Sequence, residues 1–126
     1  MKTRKDQYKE FQYRLMRLLG FAIRNDIVFK GLEWWRSQQE ANRLAAMRLG
    51  SRTSKHLKSL AVDIILVTES GRNVLYVKDL SGKGSAWFTY LKLGEFWESI
   101  GGVWGGRFLK NGLPDVYHFE HPEKPL

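Results

Sequence analysis

Four residues of this chain have the types needed to hydrolyse a bond with a metal ion. His56, Asp63 and His118 are donors that zinc accepts, and Asp115 is a carboxylate able to move a proton. A zinc hydrolase needs three protein ligands and one open position for water. It also needs an acid–base group that stays off the metal. The chain has no cysteine and only three histidines, His56, His118 and His121. Disulfides and thiolate zinc sites are thereby excluded, and any zinc must be held by imidazole and carboxylate.

Spacing limits how these donors can meet. On one continuous helix, His56 and Asp63 would stand about 10 Å apart in rise, yet each donor atom must lie about 2 Å from the same ion. A loop holding His56, a turn near Ser59 and a strand carrying Asp63 serve them better. On that strand Ala61, Asp63 and Ile65 share one face, and Val62, Ile64 and Leu66 share the other. A carboxylate inside an apolar strand needs a positive partner. From this segment alone, an arginine salt bridge is the commoner answer.

The stretch Asp115-Val-Tyr-His118-Phe-Glu120 follows Pro114 and sets a carboxylate three residues before a histidine. Taken alone, such a pair is often a surface turn. On a strand His118 and His121 point to opposite faces, so His121 is left out of the ligand set, whereas Glu120 shares the His118 face and is an alternative carboxylate.

The elements that must position these residues follow from periodicity. Residues 5–24 repeat apolar positions every three to four residues and predict an amphipathic helix. Ile27 to Phe29 is a short strand candidate closed by Gly31. Ser37 and Glu40 form a capping box that opens a helix over about 38–49, with Gly50 as its stop. Leu60 to Thr68 is rich in β-branched residues and predicts a central strand. Glu69 to Arg72 is a turn into a second strand over 73–78, giving a hairpin. A helix over 87–100 ending at Gly101-Gly102 and a strand over 117–120 complete the chain. The class is α+β, a small antiparallel sheet packed by about three helices, with the zinc site at the sheet. The 126 residues predict a single domain, 1–126.

The formal charge of +8 is uneven: residues 1–58 sum to +9 and residues 59–126 to −1. A basic half attracts anionic polymers, and nucleic acid, phospholipid and wall polymers all qualify. No apolar run approaches the roughly 18–20 residues of a membrane helix, and no secretory signal is legible at the start. The expectation is a protein made in the cytosol; if it works outside, something else must let it out.

The segment Ser54-Lys-His56-Leu-Lys-Ser-Leu-Ala61-Val-Asp63 resembles the S-x-H-x-x-G-x-A-x-D motif of the VanY-like D-alanyl-D-alanine carboxypeptidases and the phage L-alanyl-D-glutamate endolysins. Trp104-Gly-Gly-Arg-Phe108 and Asp115-Val-Tyr-His118-Phe119 resemble its W-G-G and D-x-x-H-F segments, and Gly31 to Arg36 with Gln39 resemble its G-x-R … Q stretch. The resemblance runs over about residues 10–120 in the family order. It implies a VanY/Hedgehog-like fold, one zinc ion on His56, Asp63 and His118, Asp115 as base, and Arg36 polarising the scissile carbonyl. Ser54 would steady the site. Apart from the resemblance, Gly105 and Gly106 let backbone approach a substrate closely, so Trp104 beside them is the candidate cleft-wall residue. An aspartate at 115 matches the endolysin branch, where the VanX-like dipeptidases use glutamate. The family glycine between histidine and alanine is Ser59 here, which costs on the order of 1 kcal/mol if the backbone takes positive φ.

The resemblance therefore implies a zinc-dependent peptidoglycan peptidase acting on the stem peptide, a phage or prophage endolysin that cuts the L-alanyl-D-glutamate bond. It would act as a monomer, without nucleic acid and without membrane insertion. A D-alanyl-D-alanine carboxypeptidase is the alternative within the family. From other classes, a basic nucleic-acid- or wall-binding module and a metal-bound domain without catalysis remain open; chelator-sensitive release of amino termini from peptidoglycan separates them.

Overall fold

A computed structural model describes residues 1–33, 60–74, 85–108 and 114–126, with isolated positions among residues 39–47. The first helix, α1, spans Arg4–Arg24. Thr3 caps it: its side chain accepts the Asp6 N–H while Asp6 accepts the Thr3 N–H, which satisfies end donors reciprocally. Phe11, Leu15, Leu18 and Ala22 form its buried stripe. The second described helix, α2, spans Ser85–Ser99 and buries Tyr90, Leu93 and Trp97. It stops where Gly101 takes φ 94, a conformation that favours glycine. The helix expected over 38–49 falls largely outside the described residues.

Four short strands form one antiparallel sheet: β1 (Phe29–Glu33), β2 (Ala61–Leu66), β3 (Val103–Trp104) and β4 (His118–Glu120), in the order β1-β2-β4-β3. The chain thus has an α+β fold. Gly31 does not close β1 as expected. It lies within the strand, where the register shifts between Lys30 and Glu33. A glycine inside a strand commonly marks such an irregularity.

Register decides which residues face the helices. Val62 stands opposite Phe119, and Trp104 is paired with Phe119 on its other side. Val62, Ile64, Leu66, Phe119 and Trp104 join the helix side chains in one buried core. Asp63 stands opposite His118, and Ala61 opposite Glu120, on the other face. Beyond β2, Gly71 takes φ 80 in the turn, and Val67 bridges Asn73. The second strand expected over 73–78 lies mostly outside the described residues. The strand β3 was not anticipated.

The two ends of the described chain are tied together. Fully buried Gln7 donates to the Lys124 carbonyl at 2.8 Å and accepts the Leu126 N–H at 2.9 Å. Lys2 pairs with Glu123 at 2.6 Å and Glu10 at 3.0 Å.

Candidate active site

Alternation along β2 and β4 builds the site. Asp63 and His118 are directly paired residues of neighbouring strands, and the His118 Nδ1 lies 3.6 Å from the Asp63 Oδ1. Among the described residues, an imidazole thus stands beside Asp63 as a positive partner. On the other side of the ring, Nε2 lies 2.8 Å from the Glu120 Oε1. His118 is buried, while Asp63 and Glu120 are partly so.

Burial disfavours a charged His118 ring. The carboxylates of Asp63 and Glu120, with the charge of Asp115, outweigh that penalty and push its pKa up to about 9. Three carboxylates around one imidazole make a cluster that favours a cation, be it a ring proton or a metal ion. Imidazole and carboxylate are donors that zinc accepts, and binding a metal displaces such a proton. The donor chemistry of Asp63 and His118 therefore fits zinc.

Asp115 is placed by a turn. Its N–H donates to the Gly105 carbonyl at 2.9 Å, and its own carbonyl accepts the His118 N–H at 3.2 Å. Gly105 opens the short 3-10 turn Gly105–Arg107 that follows β3. A Cβ at Gly105 would clash with the Asp115 carbonyl oxygen and stand 2.8 Å from the His118 Cβ, so only glycine lets this turn lie against the site. Arg107 steadies the same turn through a fork to Glu98 of α2, at 3.0 and 3.1 Å.

Trp104 is not a cleft wall. Register turns it toward the helices, it is fully buried, and its Nε1 donates to the Val116 carbonyl at 2.9 Å. The indole supports the Asp115 turn from beneath. Glu120, the alternative carboxylate expected on the His118 face, does lie against the ring. His56, Arg36 and Ser54 lie outside the described residues.

A second group, Glu10, His121 and Glu123, has ligand atoms within 4.8 Å of one another. It lies on the helix side, as the alternation of His118 and His121 requires. Two cations already serve it. Lys2 bridges the two glutamates. The Arg14 Nη1 lies 3.3 Å from the His121 Nδ1. A guanidinium can only donate, so Nδ1 accepts and the ring proton of a neutral His121 resides on Nε2, the nitrogen facing Glu10. A metal there would have to displace Lys2 and that proton.

Residues 48–121, more than half of the chain, match the model of the D-alanyl-D-alanine carboxypeptidase family. The chain belongs to that family. The match spans Asp63, Asp115 and His118, and also His56. Among solved structures, the crystal structure of the Serratia marcescens L-Ala D-Glu endopeptidase ChiX is similar in fold, with a TM-score of 0.60 and 19% identity over 92% of this chain and 84% of that one. No curated protein matches the sequence. In the D-alanyl-D-alanine carboxypeptidase family setting, the Asp63–His118 pair on the sheet is the candidate centre, and the Glu10 group is a second set of donors that contacts Lys2 and Arg14.

Proposed function

We propose that this chain is a zinc-dependent peptidoglycan peptidase, an endolysin of phage or prophage origin that cuts the L-alanyl-D-glutamate bond of the stem peptide. The observation that carries the reading is the pairing of Asp63 with His118 across β2 and β4, with the Asp115 turn packed against them. Family membership supports a wall peptide as substrate. The likeness in fold to an L-Ala D-Glu endopeptidase, and an aspartate at 115, favour the endolysin bond over the terminal D-alanine.

In this reading His56, Asp63 and His118 would hold one zinc ion. Bound there, zinc supplies Lewis acidity and brings the pKa of water toward neutrality. Asp115 accepts the proton of the attacking water and passes it to the leaving amine. Arg36 binds the carbonyl oxygen of the scissile bond, where negative charge develops. Glu120, 2.8 Å from Nε2 of His118, would accept a proton from that nitrogen and hold the ring in its orientation.

Purified protein on isolated peptidoglycan, with and without chelator, tests the reading. Chelator-sensitive release of new amino termini is expected, and mass spectrometry of the products should show stem peptides cut after L-alanine. Release of free D-alanine instead would establish the carboxypeptidase reading, and no release at all would sink both.

A further inference from the structure

The outward face of α1 has a composition that neither the core nor the site requires. Tyr13, Met16 and Ile23 are 59%, 59% and 78% exposed. With Gly20 they fall at intervals of three, four and three residues, so they form one straight stripe opposite the buried stripe of Phe11, Leu15, Leu18 and Ala22. Over the span Tyr13 to Ile23 the stripe is about 15 Å long. The exposed cations Lys5, Lys9, Arg17 and Arg24 lie along it. The acid on this face is Asp6, which is engaged with Thr3.

Charge and apolar surface together select the partner. A soluble polyanion such as nucleic acid or an anionic wall polymer rewards the four cations but gains nothing from Met16 and Ile23. An anionic bilayer surface rewards both, because headgroup phosphates meet the cations while methionine, isoleucine and tyrosine enter the acyl boundary. Side chains of lysine and arginine can also extend their stems along such a boundary. No helix of the described residues is long and apolar enough to cross a membrane, so the contact is one that lies along the surface.

We infer that the exposed face of α1 is a docking surface for an anionic phospholipid bilayer, with the helix axis parallel to the membrane plane. The inference stands apart from the peptidase reading, since none of these residues belongs to the site.

Vesicle co-sedimentation tests it, using the full chain with phosphatidylglycerol–phosphatidylethanolamine vesicles and with phosphatidylcholine vesicles. Binding is expected to the first and not the second, and to weaken with salt. The variant K9Q/R17Q/R24Q should bind about a hundredfold more weakly, at roughly 1 kcal/mol per cation removed. The variant Y13Q/M16Q/I23Q keeps every charge and should also bind about tenfold more weakly or worse. Far-UV circular dichroism and thermal melting establish that both variants fold. Equal binding to neutral vesicles, or no binding to anionic ones, overturns the inference. So does a Y13Q/M16Q/I23Q variant that binds like the parent, which would make the face a soluble-polyanion surface instead.

Discussion

At the scale of single residues, His118 depends on both of its carboxylate neighbours. Asp63 sits on the Nδ1 side and Glu120 on the Nε2 side, and their roles separate by substitution. Glu120→Gln keeps the size of the side chain but weakens its hold on the ring. Zinc affinity is expected to fall by about 10–100-fold, the usual cost of losing an orienting partner, as read by competition with a chromogenic chelator. Asp115→Asn should leave zinc affinity near the parent value while turnover on peptidoglycan falls by about 10²–10⁴. Equal loss of metal in both variants would contradict the division of roles. Gly105→Ala addresses the same centre through the backbone. The added methyl meets the Asp115 carbonyl oxygen, so the turn must shift. A loss of about 1–3 kcal/mol in stability is expected from chemical denaturation, with activity falling further than stability accounts for.

At the scale of elements, the two ends of the fold respond differently. Trp104→Phe retains most of the apolar volume but leaves the buried Val116 carbonyl without its indole donor. The expected cost is about 1–3 kcal/mol. The N-terminus of α1 carries a pH dependence. The Thr3 backbone N–H, and then its hydroxyl, hold the Asp6 carboxyl below its ordinary pKa. That stabilisation is complete above the ordinary carboxylate range and disappears as pH falls through the depressed value. Melting curves of the parent and of Asp6→Asn should therefore differ at neutral pH and converge in acid.

Much of this scale was legible in the sequence. The 3.6-residue repeat of α1, the alternation that separates Asp63 from Val62 and Ile64, and the opposed faces of His118 and His121 are local patterns. Other features were not. The strand β3 has only two residues, too few for a period. Trp104 was read as a cleft wall from its neighbouring glycines, yet its facing is set by pairing with Phe119 on a distant strand. Gly31 looked like a terminator because a glycine can either end a strand or mark a register shift within it, and pairing with β2 decides which. Gln7 reads as an ordinary polar helix residue, and only its partners 117 and 119 residues away explain its burial.

At the scale of the whole molecule, metal binding and folding should be linked. An ion that binds the folded chain alone stabilises it by mass action, by about 2.7 kcal/mol at a hundredfold excess over the dissociation constant. Unfolding free energies from denaturant titration with and without zinc at that excess are expected to differ by about that amount, and His118→Ala should remove the difference. A shift that survives His118→Ala but is lost in His121→Ala would move the metal to the helix side of the sheet.

The strand order β1-β2-β4-β3 also has a meaning for synthesis. The strand β4 is the last described element in sequence, yet it is inserted between β2 and β3. Until residue 120 has been made, β2 has one open edge, β3 has no neighbour, and the ring of His118 is absent from the centre. A growing chain therefore cannot assemble the Asp63–His118 pair before β4 has been made. The same insertion gives the fold contacts of long sequence separation, which form late. A fragment ending before His118 should expose both strand edges and aggregate more readily than the chain through Leu126, as light scattering would read.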